Sequence, residues 1–352
     1  MGFLTELLKK AYDMKGSDVF IVPGAQVTCK VKGEMIPLSE EIVKPDGTEA
    51  LIREAYQLAG RDIALLRAEG DDDFSFAIRD VSRFRCNAYY QRGTIAATCR
   101  MIAFGLPEPK QLGIPDLVIE LARHRNGMIL VTGPAGSGKS TTLACMVDWI
   151  NSSRSGHIVT IEDPIEYLHR HKKCVVSQRE VPSDAPTFAR ALRAALRQAP
   201  DVIMLGEMRD LETIRTAITA AETGHLVLSS LHTTGAAKTV DRILDTFPPE
   251  QQAQVRIQLS MVLRAVVSQR LIPKKDGGQA VVFEVMTVNP AVQNLIRDGR
   301  THQIDNAIFG AANQGMISMD AELQKMYRSG IITKETALLY AVSPETLAKR
   351  LI

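Results

Sequence analysis

The residues with the clearest chemical capacity run from Gly133 to Ser140 and read Gly-Pro-Ala-Gly-Ser-Gly-Lys-Ser. They fit the phosphate-loop pattern G-x-x-x-x-G-K-[ST] without a mismatch. Glycines let backbone N–H groups turn inward around phosphates, and the helix that follows adds its positive dipole end. The pattern predicts that Lys139 reaches the β and γ phosphates of a nucleoside triphosphate and that Ser140 ligates magnesium. The predicted nucleotide-binding residues are Gly133, Pro134, Ala135, Gly136, Ser137, Gly138, Lys139, Ser140 and Thr141.

The segments on either side of this loop have the secondary structure that the pattern requires. The apolar run 128–131 before the loop is typical of a buried strand, and the apolar residues after it recur at helical spacing. Those residues are Leu143, Met146, Val147 and Ile150. Strand, glycine loop and helix therefore follow in order, which disfavours an ordinary glycine-rich turn.

Three carboxylates lie where the next predicted strand, 157–162, passes into a loop: Glu162, Asp163 and Glu166. Ligands bind at this edge of open α/β sheets. Pro164 turns the chain and directs Glu162 and Glu166 differently. One of these two glutamates could orient or deprotonate the water that attacks the γ-phosphate. The alternative is an acidic loop that is only solvated.

The segment 201–210 has the form of a Walker B element, with four apolar residues followed by acids. Gly206 stands where a magnesium-binding Asp is common, so Glu207 is the only acid at the strand tip and its contact with magnesium would run through water. Asp210 is predicted to cap the following helix. Arg209 beside Glu207 suggests an ion pair.

Two histidines bracket a further apolar strand, 225–231. A lone histidine in such a position is most often structural. His225 and His232 are flanked by Thr223-Gly224 and Thr233-Thr234. Because imidazole can donate to phosphate or change its charge near neutral pH, both histidines are candidates for sensing the γ-phosphate, with His225 as a coupling residue.

Composition limits the class of protein. A chain of 352 residues is expected to form two domains. A net charge of +2 gives no general electrostatic case for nucleic-acid binding. The five cysteines include no C-x-x-C pair, so neither a disulfide framework nor a zinc module is indicated, and a reducing cytosol fits best. Residues 1–10 suit a short amphipathic helix rather than a secretory signal. No apolar run is long enough for a membrane span, so we expect membrane contact only through partners.

The order of predicted elements indicates a small α+β domain over residues 1–104, a linker and connecting helix over 105–126, and an α/β domain over 127–352. Strands that alternate with helices in the last of these predict a parallel sheet. In the first domain we predict strands 18–22, 27–31, 73–78, 82–90 and 94–102 and helices 1–10 and 47–68. In the rest we predict a helix over 116–125, strands 127–132, 157–162, 202–206 and 225–231, a hairpin around Asp276-Gly277-Gly278, and helices after Pro290.

Together these segments resemble the type II/type IV secretion ATPase superfamily, and within it the pilus-retraction ATPases. The resemblance covers nearly the whole chain. It implies a hexameric cytoplasmic motor whose subunits have a PAS-like N-terminal domain and a RecA-like P-loop ATPase domain with a helical C-terminal extension. The motifs that carry it are Gly133–Thr142, the acidic box 161–167, the Walker B segment 205–215 and the histidine box 221–233.

The resemblance also implies roles for individual residues. Glu166 is the expected catalytic base, Glu162 and Asp163 assist it, and Glu207 is the Walker B acid. Arginines from the N-terminal domain of a neighbouring subunit are expected to neutralise charge that develops on the γ-phosphate. Arg85 and Arg100 match these positions best, and Arg83 and Arg92 compete with them.

A C-terminal helix motif distinguishes the retraction members, which carry Ala-Ile-Arg-Asn-Leu-Ile-Arg-Glu. This chain has Ala-Val-Gln-Asn-Leu-Ile-Arg-Asp over 291–298. Val292 and Asp298 preserve the chemical character of the motif, but Gln293 lacks the charge of the arginine. The apolar residues of the same helix could equally belong to the core.

Three functional alternatives remain at the sequence level. The first is a retraction motor that acts on an inner-membrane pilus platform protein, with a second retraction ATPase as a further candidate partner. The second is an assembly or secretion ATPase, which is disfavoured because such relatives resemble longer chains with a tetracysteine zinc insertion. The third is a catalytically poor accessory subunit. No basic-aromatic segment supports a nucleic-acid translocase, and no Asn-Lys-x-Asp element supports a GTPase.

Overall fold

A computed structural model describes residues 2–102 and 106–351. The chain divides into two compact units, Met1–Gly105 with Glu166–Leu168, and Leu106–Ile165 with His169–Ile352. The predicted boundary between residues 104 and 105 lies outside the described residues. The fold class agrees with the sequence prediction, because a small α+β unit precedes a larger α/β unit that continues into C-terminal helices.

The first unit is a six-stranded antiparallel sheet with helices, and its strand order is β3-β2-β1-β6-β5-β4. Helix α1 buries Leu4, Leu7, Leu8 and Ala11 at helical spacing, so its apolar face joins the core of this unit. Its elements are α1 (Phe3–Asp13), β1 (Asp18–Ile21), β2 (Gln26–Val31), β3 (Glu34–Ile42), α2 (Pro45–Ala59), α3 (Ala64–Glu69), β4 (Asp71–Ile78), β5 (Ser82–Gln91) and β6 (Thr94–Ile102).

Two predictions for this unit were wrong. The single helix expected over 47–68 is two helices, because Gly60 ends α2 in a left-handed conformation with φ of 65°. Strand β3 was not predicted. It is an edge strand with a proline and several exposed acids, so it lacks the regular apolar alternation that indicates a strand.

The second unit is built on a seven-stranded sheet of order β13-β12-β7-β11-β10-β8-β9. All neighbouring strands pair in parallel except β12 and β13, which form an antiparallel hairpin. Its strands are β7 (Gly127–Thr132), β8 (Gly156–Glu162), β9 (Cys174–Glu180), β10 (Val202–Leu205), β11 (Leu226–Leu231), β12 (Leu263–Pro273) and β13 (Gln279–Thr287).

Helices cover both faces of this sheet. Along β7, Met128 and Leu130 enter the apolar cluster on one face and Ile129 and Val131 enter the cluster on the other, as the two-residue period of a strand requires. The helices are α4 (Asp116–Glu120), α5 (Lys139–Ser153), α6 (Phe188–Ala195), α7 (Leu211–Glu222), α8 (Ala236–Asp245), α9 (Pro249–Val262), α10 (Pro290–Arg297), α11 (Ile304–Gly310), α12 (Met319–Arg328), α13 (Lys334–Tyr340) and α14 (Pro344–Ala348).

The predicted sheet lacked β9 and the first part of β12, because the hairpin predicted around residues 276–278 took in only residues 270–273 of that strand. Strand β9 is an edge strand that ends in four polar residues, so its sequence does not have the pattern of a buried strand. Strand β12 begins at Leu263, well before the segment that the hairpin turn indicated. The helix predicted over 116–125 is α-helical only to Glu120 and continues as a short 3₁₀ turn, Leu121–Arg123.

Among residues 2–102 and 106–351, no helix combines the length and the apolar character that crossing a bilayer requires.

Candidate active site at the carboxyl edge of the second sheet

The phosphate loop follows β7, a strand that is buried along its whole length. Because β7 pairs in parallel with β11 on one side and β12 on the other, the loop leaves the sheet at its centre and enters α5 at Lys139. Gly133 has φ of 146°, and a Cβ there would lie 2.2 Å from the carbonyl oxygen of Gln269. The first glycine of the motif is therefore required by the adjacent strand as well as by the turn.

Lys139 lies inside the loop. Its side chain is 8% exposed, and Nζ donates to the carbonyl oxygens of Gly133 and Pro134 at 3.1 and 3.0 Å. The ammonium group is thereby held beside the backbone that the motif uses to surround phosphates. This position is the one from which a lysine can interact with the β and γ phosphates.

The buried polar atoms of the loop fit a phosphate group and its metal. The hydroxyls of Thr132 and Ser137 are buried, and neither has a hydrogen-bond partner among the described residues. Such groups are costly in an apolar interior unless they are paired, so a phosphate, its metal or a water bound here would supply the partners that they lack. Ser140, in the first turn of α5 and half-buried, adds a hydroxyl of the kind that ligates magnesium in phosphate-loop proteins.

Gln269, far along the chain from the phosphate loop, holds that loop in place, and no sequence motif pointed to it. Gln269 on β12 is 1% exposed. Its Nε2 donates to the carbonyl oxygen of Ser137 at 2.6 Å, and its Oε1 accepts from the Thr142 hydroxyl at 2.8 Å. The sequence did contain a signal for this residue. A strand predicted from Leu263 would have placed Gln269 inside the sheet, where a polar side chain needs hydrogen-bond partners.

The acidic box begins at the end of β8, where Glu162 is 7% exposed. Its Oε1 accepts hydrogen bonds from Thr160 Oγ1 at 2.6 Å and from Gln178 Nε2 at 3.2 Å. The carboxylate is therefore fixed at the carboxyl edge of the sheet. Asp163, the next residue, is exposed.

Glu166 differs from the other acids of this box. Its backbone neighbour Ile165 is anchored by a hydrogen bond from N–H to Glu180 Oε2 at 3.0 Å. Glu166 itself is exposed and groups with Tyr167 and Leu168 in the first unit. Its role as the base stays a prediction.

Glu207 and His232 do come together. They follow the parallel neighbours β10 and β11. Glu207 Oε2 lies 3.2 Å from His232 Nε2, and Glu207 Oε1 lies 2.6 Å from Arg209 Nε. The side chain of Glu207 is 15% exposed. The ion pair suggested for Arg209 is present, and Asp210 caps α7 by accepting from the N–H of Thr213.

His225 immediately precedes β11, so it lies at the amino ends of the strands, opposite the carboxyl ends that carry the phosphate loop. Its carbonyl accepts from the N–H of Gly127 at 3.0 Å, and its Nδ1 lies 2.9 Å from the carbonyl oxygen of Ala220. The six residues of β11 separate it from His232, which is about 20 Å at the rise of a strand. The structure therefore places His225 and His232 at opposite ends of β11, and the coupling role of His225 stays a prediction.

The first unit presents Arg85 and Arg100 on adjacent strands, directly opposite each other. Arg85 Nη2 pairs with Asp73 at 2.8 Å and Arg100 Nε pairs with Asp18 at 2.9 Å. Burial raises the pKa of Asp18, but the hydrogen bonds from Arg100 and Ser17 outweigh it, so the net pKa is lowered. The two side chains are 40% and 69% exposed.

The competing arginines differ from this pair. Arg83 donates to the Ser75 hydroxyl at 2.7 Å, and Arg92 occupies the turn between β5 and β6 with φ of 49°. Arg85 has Arg100 directly opposite it on the neighbouring strand, whereas Arg83 has Ile102.

The carboxyl ends of β7, β11, β10 and β8 are neighbours in that order. They carry the phosphate loop, His232, Glu207 and Glu162. A loop for phosphates, a lysine and two carboxylates at one edge of a parallel sheet can bind a nucleoside triphosphate and polarise its terminal phosphate.

Comparisons with known proteins agree with this chemistry. The model of the type II/IV secretion system protein family matches residues 1–338. The type IV pilus retractation ATPase PilT of Pseudomonas aeruginosa is 43% identical over 97% of this chain and 99% of its own length. The type IV pilus ATPase PilU of the same organism is 39% identical over 97% of this chain and 89% of its own length.

A solved structure has the same fold. The crystal structure of the pilus retraction motor PilT with bound ADP superposes with a TM-score of 0.89, at 45% identity over 99% of each chain. The resemblance to this superfamily inferred from the motifs is confirmed by these comparisons.

Proposed function

Because the chain belongs to the type II/IV secretion system protein family, we propose that it drives the retraction of a type IV pilus. The chain is an ATPase of this family and binds nucleotide. The observation that carries the proposal is the carboxyl edge of the second sheet, where the phosphate loop, Glu162, Glu207 and His232 follow neighbouring strands. Similarity to retraction ATPases over nearly the full chain supports retraction over assembly.

The phosphate loop would hold the triphosphate through its backbone N–H groups and Lys139. Ser140 and, through water, Glu207 would hold magnesium, which when bound offsets the negative charge of the phosphates. Glu162 supports this arrangement as a second carboxylate, fixed by Thr160 and Gln178. The Glu207 carboxylate also orients His232, so the imidazole can respond to the terminal phosphate.

Glu166 is proposed as the general base. One of its carboxylate oxygens takes a proton from water as the water oxygen bonds to the γ-phosphorus, and the bond to the β–γ bridging oxygen breaks to leave ADP and phosphate. The anchor of Ile165 on Glu180 supports this role, because it fixes the backbone immediately before the base.

The working state is proposed to be a homohexamer. In it, Arg85 and Arg100 of one copy would face the nucleotide of the next and neutralise charge on the γ-phosphate. Their side-by-side position on an exposed face supports this assignment. His225 would couple the amino edge of the sheet to such a neighbour.

Hydrolysis can do mechanical work only if ATP and ADP favour different arrangements of the ring. We propose that these arrangements move an inner-membrane platform protein and thereby withdraw pilin subunits from the fibre. The motor would act in the cytoplasm and reach the membrane only through such partners, which include a second retraction ATPase as a candidate.

The test measures ATP hydrolysis by the purified chain together with its mass in solution. A hexamer that hydrolyses ATP supports a motor, and an assembled ring without turnover would favour an accessory subunit. In the source organism, deletion of the gene should leave excess surface fibres. Absent fibres would instead identify an assembly ATPase.

A further inference from the structure

Strand β12 reaches the phosphate loop from outside the motif. It pairs in parallel with β7, and Ser268 stands opposite Thr132, the last residue before the loop. The next residue of β12 is Gln269, whose side chain is buried beneath the loop. A buried amide must have its donors and acceptors satisfied, so the contacts of this side chain decide what it does.

The Gln269 amide bridges two parts of the loop and helix. Its Nε2 donates to the Ser137 carbonyl at 2.6 Å and its Oε1 accepts from the Thr142 hydroxyl at 2.8 Å. A carbonyl oxygen can only accept, so the amide nitrogen must face Ser137 and the orientation of the amide is determined. Ser137 and Thr142 bracket Lys139 and Ser140, the residues assigned to phosphate and magnesium.

The backbone and side chain of Gln269 also explain two glycines of the motif. A Cβ at Gly133 would lie 2.2 Å from the Gln269 carbonyl oxygen, and a Cβ at Gly138 would lie 3.2 Å from Gln269 Nε2. Four positions of the segment 133–142 therefore contact this one residue. A side chain at 133 would displace the loop from the strand, because the atom that it meets is backbone.

The residues on either side of Gln269 hold other segments. Ser268 Oγ accepts from the N–H of Gly235 at 2.9 Å, in the turn after the histidine box. Arg270 Nη1 donates to the carbonyl of Tyr340 at 3.0 Å, at the end of α13. Three successive residues of β12 thus form hydrogen bonds to the turn at Gly235, the phosphate loop and the end of α13. Gln269 is the one of the three that contacts the phosphate loop.

We propose that Gln269 is a positioning residue for nucleotide binding, because it holds the loop peptide at Ser137 and the helix at Thr142 in the geometry that presents Lys139 and Ser140. This inference rests on the proposed function for its relevance to turnover. The inference itself is tested by measuring the binding of ADP with magnesium, which does not require hydrolysis.

The test compares Gln269→Leu with the wild type by calorimetry with ADP and magnesium. Leucine keeps much of the volume but leaves the Ser137 carbonyl and the Thr142 hydroxyl without these partners, so we expect about tenfold weaker binding or more. The KM for ATP should rise with it. The matched control is Gln279→Leu, at an exposed position of the same hairpin, which should bind like the wild type. Unchanged affinity in Gln269→Leu would overturn the proposal.

Two further variants separate positioning from general stability. Thr142→Val removes one of the two hydrogen bonds, so Gln269→Leu should cost less affinity in that background than in the wild type. Full additivity would contradict the bridge. In Gln269→Glu, the introduced carboxyl can donate to Ser137 only when protonated, so binding should strengthen from pH 8 to pH 6 beyond any change in the wild type. A pH response equal to that of the wild type would also count against the proposal.

These outcomes are distinct from those of the proposed function. A wild type that binds ADP without hydrolysing ATP would refute the motor and leave the Gln269 measurement intact. If Gln269→Leu does not fold, the pH response of Gln269→Glu decides.

Discussion

The carboxyl edge of the second sheet and the arginine face of the first unit, which carries Arg85 and Arg100, differ in how far their side chains are buried. At the edge, Lys139, Glu162 and Gln269 are each less than a tenth exposed and are held by short hydrogen bonds. On the face, Arg85 and Arg100 are 40% and 69% exposed, and they pair with Asp73, which is 50% exposed, and with Asp18, which is 14% exposed. Exposed ion pairs contribute little to stability.

This difference matches the proposed roles. Groups that bind the phosphates of their own subunit gain from being prearranged, because little freedom is lost on binding. Arginines that act on a neighbouring subunit must exchange one partner for another in each cycle, and weak exposed pairs permit that exchange. Four variants follow, in order of decreasing expected effect.

The largest effect is expected from Lys139→Ala. Removal of the ammonium inside the loop should abolish binding of the β and γ phosphates, so neither ATP binding nor hydrolysis should be detectable by calorimetry and phosphate release. Lys349→Ala, at an exposed position, is the control. Binding within a few-fold of the wild type would show that the edge is not prearranged around this lysine.

Glu166→Ala tests the exposed acid of the acidic box that is proposed as the base. Loss of a general base lowers the rate by up to about 10⁴-fold while binding is retained, so the variant should bind ATP and fail to turn it over. Single-turnover hydrolysis and nucleotide affinity should be measured together. Glu250→Ala is an exposed control, and normal turnover in Glu166→Ala would refute the base assignment.

Arg85→Ala combined with Arg100→Ala tests the face. We expect turnover to fall about 10³-fold, as for arginines that stabilise charge on a transferred phosphate. The free energy of unfolding should change by no more than about 1 kcal/mol for each exposed pair. Arg79→Ala, whose side chain is 96% exposed, is the control. A large loss of stability, or intact turnover, would remove the contrast between the two regions.

The smallest effect, on the pH dependence of stability, is expected from a buried carboxyl group of the same sheet. Glu284 on β13 accepts from the N–H of Ala236 at 2.9 Å. Burial, with a smaller contribution from Asp305, raises its pKa from 4.5 to about 7. The folded state therefore favours the protonated form, and its contribution is fully present below pH 4.5 and is lost as the pH rises through 7.

Glu284→Gln should remove this dependence. Between pH 5 and pH 8 the wild type should lose stability on the order of 3 kcal/mol from this group, and the variant should show a flatter profile in chemical denaturation. Glu345→Gln at an exposed site is the control. Equal slopes for wild type and Glu284→Gln would indicate that the carboxyl titrates at its ordinary pKa when folded.

What the sequence determined by itself was local. The phosphate loop, the strand before it and the helix after it are contiguous, so their residues specify their own turn and periodicity. The same holds for the cap at Asp210 and for the strands β4 and β5, in which buried residues alternate with more exposed ones along all of β4 and over residues 82–89 of β5.

Only the tertiary structure decided which distant residues meet. The edge strands β3 and β9 lack a clear pattern because few of their residues are buried. His225 and His232 are close in sequence, yet β11 carries them to opposite edges. Gln269 and Thr142 are 127 residues apart and form one hydrogen bond. Strand order is a sum over many long-range contacts, and no short stretch of sequence contains it.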